Sequence, residues 1–309
     1  YRVGLPAGEC PDTCCWNDGC NMASRVAVDD KGDAYVATIG FGMQGTVTKI
    51  AGNIGRCIDR NGNEQIETST TDVPLDYGDD ECIIWSVPVG GENALLRSMI
   101  IDQGDEQRPD GYIWVGAYNE SRLYKIDPNN GQTIRSIELD LAPFGSVIDG
   151  GGRVWATSLG DASMQSVDTR SHAVGPLVQN PENLRNGCRN SYGSTVDHYG
   201  RIWLAGWECN DAVAYDPRTE SWCRVTMPQN RTGGRGITVD HNNRIYTALG
   251  GDGQSGIAWW EADDCVANAS YNAIRYRNTA PNTVGASSID IDRLGRVWLA
   301  HYISRTLFR

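Results

Sequence analysis

The sequence predicts an all-β fold, a β-propeller of six blades, and three observations carry that prediction. A strand phrase ending in Asp, then a turn, then a strand centred on Trp or Tyr, recurs six times along the chain. The spacing between most copies suits a four-stranded blade. No long stretch carries helical periodicity.

The copies place Asp29 before Tyr35, Asp102 before Trp114, Asp149 before Trp155, Asp197 before Trp203, Asp240 before Tyr246 and Asp292 before Trp298. Their aromatic positions step by 79, 41, 48, 43 and 52 residues. All but the first step fall near the ~40–50 residues of one blade. Alternating apolar and polar residues around Gly, Asn and Asp turns make each phrase a hairpin. Two more strands complete a blade. In the second copy they are 122–126 and 133–139, joined by the turn Asp127-Pro128-Asn129-Asn130-Gly131.

The long first step has a local cause. A polar stretch, residues 52–80, separates Lys49-Ile50 from Ile83-Ile84-Trp85, and Cys57 and Cys82 flank it. It reads as an insertion in the first blade closed by a Cys57–Cys82 disulfide, with a seventh blade as the alternative. The sixth copy ends after its third strand, at 305–309, and the N-terminal residues 1–5, which precede the first complete blade, are expected to supply the fourth. Pairing both ends in one blade removes an exposed edge, so the expectation is a single domain over residues 1–309, closed by its N-terminal strand.

Composition bounds the function. The 309 residues carry 27 basic and 39 acidic side chains, a formal net charge of −12. Such a surface repels phosphate backbones, so nucleic acid is not an expected partner. No apolar run approaches the ~20 residues of a membrane-spanning helix. The ten cysteines contain no Cys-x-x-Cys pair, and the four histidines are scattered. Disulfides in an oxidising compartment follow, which places the protein outside the cell, on its surface or in a periplasm. Cys188 and Cys209 flank strands of one blade and emerge on one face, so they are expected to pair, leaving Cys223 to Cys265. Two further bonds among Cys10, Cys14, Cys15 and Cys20 would tighten the entry to the first blade, in a connectivity the spacing leaves open.

The strand phrase resembles the blades of streptogramin lyase-like, NHL-type and gluconolactonase-like propellers, which share an Asp-x-x-Gly-x-hydrophobic-Trp pattern. The resemblance covers most of the chain at the level of single blades. In the streptogramin lyases it implies a Glu shortly after the aromatic residue, which works with a nearby His in metal-assisted chemistry. Here the third residue after the aromatic is Thr38, Ala117, Ser158, Gly206, Leu249 or His301, with no Glu among them.

Three sets of candidate residues follow. Each repeated Asp begins a turn, where a carboxylate accepts backbone N–H groups, and the aromatic series packs blade on blade. Five residues before each Asp stand Ser24, Arg97, Phe144, Tyr192, Arg235 and Ser287. That position leads into a blade's innermost strand, near the channel mouth, where repeat folds vary their side chains to bind. Arg97, Phe144, Tyr192 and Arg235, with His301, would suit an anionic or planar ligand there, or plug the channel. In the insertion, Asp59, Asn61 and Asn63 alternate as in Asp-x-Asn-x-Asn calcium loops, with Gln65 offering its carbonyl and Glu67 or Asp72 a further carboxylate. Glu64 stands where such loops use Gly. The expected function is a secreted or cell-surface binding or assembly module, with structural Ca²⁺, whose partners are other proteins or copies of itself. The alternative is a metal-dependent lyase or lactone hydrolase on the same fold.

Overall fold

A carboxylate placed before an aromatic strand organises every repeat. In the computed structural model, one oxygen of each repeated Asp accepts the polar hydrogen of the aromatic ring. The indole N–H groups of Trp114, Trp155 and Trp298 lie 2.8 Å from Asp102, Asp149 and Asp292, and that of Trp203 lies 2.9 Å from Asp197. The hydroxyls of Tyr35 and Tyr246 reach Asp29 and Asp240 at 3.0 and 3.2 Å. The other oxygen takes two N–H groups of the following turn, as Asp149 does from Gly151 and Arg153. The side chain thus shapes the turn and satisfies a donor that ring burial takes out of water.

The structure describes residues 22–309 except 72, 77, 107, 182–190, 208, 228–232, 251–254, 268, 273–274, 279–284 and 302–305. The expected closing strand at residues 1–5, the four N-terminal cysteines, Cys188 and Asp72 lie outside the described residues. The described chain forms six sheets, each starting with one repeat phrase, and the fold is a six-bladed β-propeller. Blade 1 holds β1 (Ala23–Val28), β2 (Ala34–Thr38), β3 (Gln44–Ile50) and β4 (Ile83–Glu92). Blade 2 holds β5 (Leu96–Ile101), β6 (Ile113–Ala117), β7 (Arg122–Ile126) and β8 (Thr133–Glu138). Blade 3 has β9 (Gly145–Ile148), β10 (Arg153–Thr157) and β11 (Met164–Asp168). Blade 4 has β12 (Ser191–Val196), β13 (Ile202–Gly206), β14 (Asp211–Asp216) and β15 (Ser221–Thr226). Blade 5 has β16 (Gly233–Val239), β17 (Arg244–Leu249) and β18 (Gly256–Glu261). The chain next supplies β19 (Ser270–Asn272), then β20 (Arg275–Asn278), which is the outer strand of blade 5. Blade 6 has β21 (Ala286–Ile291), β22 (Val297–His301) and β23 (Thr306–Phe308).

Two compact units emerge. One contains the chain up to Phe144 together with Asp168–Val174; the other contains Gly145–Val167 and Gly175–Arg309. In the first unit, Tyr35, Val47 and Val89 of blade 1 share a core with Leu96, Ile113, Val115 and Ile126 of blade 2. Two of the chain's three lysines pass between neighbouring blade elements there. Lys49 on β3 donates to the Pro128 carbonyl at 3.1 Å, and Lys125 on β7 donates to the Thr169 carbonyl at 2.8 Å. Both occupy the same place in their strands, opposite Tyr35 and Trp114. Each ammonium also lies over an aromatic ring, Lys49 over Tyr35 at 5.2 Å and Lys125 over Tyr112 at 4.0 Å.

In the second unit, one core joins blades 3 and 4 through Val147, Trp155, Leu204 and Trp222. Another joins blades 4 and 5 through Trp203, Val225, Ile237 and Trp260. Trp203 and Trp260 pack at 5.5 Å between ring centres. After β18 the chain leaves blade 5 and runs along blade 4, where β19 pairs parallel to β15. A Cys223–Cys265 disulfide and the Arg201 guanidinium, which donates to the Ala262 carbonyl at 2.6 Å, pin this crossing.

Candidate functional site

The first strand of a blade is interrupted at one repeated place. Register shifts fall between Ala23 and Arg25, Leu96 and Ser98, Ser191 and Ser194, Gly233 and Ile237, and Ala286 and Ser288. Ser24, Arg97, Tyr192, Arg235 and Ser287 sit inside those five irregularities. A bulge of this kind bends the strand and re-aims a side chain. Phe144, the remaining member of the set, immediately precedes β9.

Arginines within or beside the bulges lie against rings from other blades. In the first unit the Arg97 guanidinium lies 4.4 Å from the centre of the Phe144 ring, and Arg25 lies 5.3 Å from the same ring. Tyr118 meets Phe144 edge-on at 5.9 Å. Phe144 is buried at 3 % exposure, while both guanidiniums are half-buried. In the second unit the Arg235 guanidinium lies 5.2 Å from the Tyr192 ring and 4.9 Å from the Trp207 ring, which themselves meet at 5.5 Å. Gly193 makes this second approach feasible. A Cβ there would stand 2.4 Å from the Arg235 carbonyl oxygen, so only glycine lets β16 come so near β12.

The structure thus joins Arg97 to Phe144 and Arg235 to Tyr192. His301 is placed elsewhere, at the end of β22, where it is 3 % exposed and packs edge-on against Phe308 at 4.9 Å. Burial holds its imidazole below the ordinary histidine range. Arg25 and Trp207 belong to these clusters but did not stand out in the sequence. For Trp207 a signal exists: it follows β13, whose ring for blade packing is already Trp203.

The insertion is joined at its base by the Cys57–Cys82 disulfide, with Cα atoms 4.3 Å apart. Within it, Asp59 accepts the N–H groups of Gly62 and Glu64 at 2.6 and 2.8 Å. Asn61 and Asn63 each accept the N–H two residues on, and both donate their amides to Glu67 at 2.9 Å. Asn61, Asn63 and Glu67 therefore converge in one turn. Glu64 takes φ +66°, the left-handed conformation for which calcium loops keep Gly. Glu81 anchors the turn by accepting the N–H groups of Arg60 and Glu67 at 2.7 and 3.0 Å. Asp80 is buried at 1 % exposure and accepts from Thr68, Ser69 and Cys82. Burial pushes its carboxyl up, but those donors outweigh it and hold the group below the ordinary range.

Cys209 is also disulfide-bonded. Among the described residues no three His, Cys, Asp or Glu side chains gather as a metal-binding group, and no helix is long and apolar enough to cross a membrane.

No protein-family model and no curated protein sequence matches the chain. Solved structures do. A streptogramin B lyase structure is similar over 91 % of this chain and 76 % of its own, at 16 % identity and a TM-score of 0.61. A catalytically inactive virginiamycin B lyase from Staphylococcus aureus, solved with quinupristin, is similar over 92 % and 78 %, at 13 % identity and a TM-score of 0.64. The WD40 repeats of RRP9 are similar over 99 % and 84 %, at 11 % identity and a TM-score of 0.61. What these proteins share with the chain is the propeller fold.

Proposed function

We propose that this protein is a disulfide-stabilised binding or assembly propeller, working outside the cell or in a periplasm, that grips acidic groups of a partner protein through its Arg–aromatic pairs. The observation that carries this reading is the bulge repeated in five blades, with its side chain changing from Ser to Arg to Tyr. A constant backbone device with a varied residue is how repeat scaffolds build a recognition face. Arg97 and Arg235 suit carboxylates, because a guanidinium offers a planar fork of donors and the ring beneath orients it. The likeness to WD40 repeats supports an interaction role, and three disulfide-bonded sites fit an oxidising compartment.

The insertion belongs to the same reading. Asp59, Asn61, Asn63 and the Gln65 carbonyl, with Glu67 or Asp72 as a further carboxylate, would offer oxygen donors suited to Ca²⁺, which would order a segment too polar to form a core. Calorimetric titration of chelator-treated protein with CaCl₂ should give one site, lost in Asp59→Ala. Absence of heat in the parent protein removes calcium from the proposal.

The test of the binding role uses a fluorescent hexaglutamate peptide followed by anisotropy. Saturable binding should weaken about tenfold in Arg97→Ala and in Arg235→Ala, the scale of one charge-assisted contact each. Binding that ignores both substitutions, or no binding, overturns it. Sedimentation velocity over a concentration series shows whether the acidic partner is a second copy.

A further inference from the structure

A cavity of about 520 Å³ opens between blades 5 and 6, away from the Arg–aromatic pairs. Register explains its lining. Ile257 on β18 pairs with Arg277 on β20, and Leu299 on β22 pairs with Phe308 on β23. Cross-strand partners share a face, so each blade presents an apolar side chain with its neighbour beside it. Val297 completes the floor. Ile257, Val297 and Phe308 pack on the core of Ala248, Ala286, Ile289 and Leu299, so the cavity is a gap over a formed core.

The rim is cationic. Arg277, Arg296 and Arg309 line the cavity, and among the described residues no acidic side chain does. Arg296 is committed to Asp292 through its Nε and lies over the Trp298 ring at 5.7 Å. Arg277 and Arg309 make no ion pair among the described residues. Arg309 lies over the Trp298 ring at 6.0 Å, and the two guanidiniums stand beside an apolar floor on a chain of net charge −12. The volume lies in the range of small-molecule sites, and the lining has their usual form of apolar walls with a few fixed polar groups.

We infer that this cavity binds a small amphipathic anion, an apolar body ending in a carboxylate or sulfonate, with the body on Ile257, Val297, Leu299 and Phe308 and the charge at Arg277 and Arg309. A neutral apolar molecule would leave both guanidiniums unanswered, and a small inorganic anion would leave the floor wet. This site is independent of the partner-binding role proposed above.

The test compares two fluorescent probes of one shape. Anilinonaphthalene sulfonate carries the anion; N-phenyl-1-naphthylamine lacks it. The sulfonate should bind at one saturable site displaced by decanoate. Its affinity should fall about tenfold in Arg277→Ala and in Arg309→Ala, whereas the neutral probe changes less than about twofold. Both arginines are exposed, and matched thermal unfolding of the variants shows that the fold is kept. Equal losses for the two probes, unchanged sulfonate affinity, or no saturable binding would overturn the assignment. Hexaglutamate binding should be unchanged in these variants, which separates the two sites.

Discussion

Asp197 and Trp203, six residues apart, are joined by a 2.9 Å bond from the indole N–H to a carboxylate oxygen, and both side chains are buried. The same oxygen takes the Arg201 Nε at 2.6 Å, so a single carboxylate ties a turn, a ring and a guanidinium together. Trp203→Phe keeps one aromatic ring, removes the donor and leaves a cavity where the rest of the fully buried indole stood. It should destabilise the protein by at least about 1–3 kcal/mol, the range for a lost buried bond to a charged group, with the cavity adding to it. Urea unfolding of Trp203→Phe beside Tyr246→Phe checks it, with the tyrosine variant losing less because its longer 3.2 Å bond is the weaker of the two.

The lysines differ in chemical accessibility. Lys31 keeps 47 % of its side chain exposed, whereas Lys49 and Lys125 are buried, at 8 % and 5 % residue exposure. Brief treatment with an amine-reactive ester should label Lys31 and spare the other two. Peptide mass mapping reads the outcome. Labelling of Lys125 at the rate of Lys31 would show that the bond to Thr169 is not formed in solution.

Acid should weaken the protein in two windows. Burial holds the His301 imidazole below its ordinary value of 6.5, and burial with the Lys125 charge does the same to His172. Below 6.5 the unfolded chain binds protons that the folded chain refuses, so stability falls with pH from about 7 downward. Asp33 acts in the lower window. Burial raises its carboxyl, but the Gly52 N–H, Lys49 and Arg56 outweigh that and hold it below 3.8, so its contribution is lost only in stronger acid. Chemical denaturation at several pH values should show the first slope reduced in His301→Gln and the second unchanged.

Gly193 sets the distance between two first strands. Alanine there would force the Arg235 carbonyl away from a 2.4 Å clash. The variant should lose about 1–3 kcal/mol of stability, as overpacked sites do. Its hexaglutamate affinity should drop as Arg235 leaves the Tyr192 and Trp207 rings. A stable variant with parent-like binding would show that the close approach is not needed.

The repeat was legible because it depends on local pattern. Asp before a turn and a ring in the next strand recur whatever surrounds them, so blade number follows from spacing. The pairing of Cys57 with Cys82 was readable for the same reason, since the two bracket a segment that must return to its start. The Asp–ring bond was not, because the separation is six residues in five blades but twelve between Asp102 and Trp114. The bulges at Arg97, Tyr192 and Arg235 left no mark either, since an extra residue in a strand changes register without changing composition. Lys49 and Lys125 look like solvated charges until the blades bring a carbonyl to each.

The crossing of β19 onto β15 constrains how this chain can change over generations. Repeat proteins are commonly edited by gaining or losing whole units. Here a deletion that removed blade 5 would also strip the outer edge of blade 4 and leave Cys223 with no mate. Duplicating blade 4 alone would yield a copy with a bare edge and an odd thiol. An edit that leaves intact sheets and no odd thiol must therefore take blades 4 and 5 together, while no such interlock joins blades 1 and 2 among the described residues.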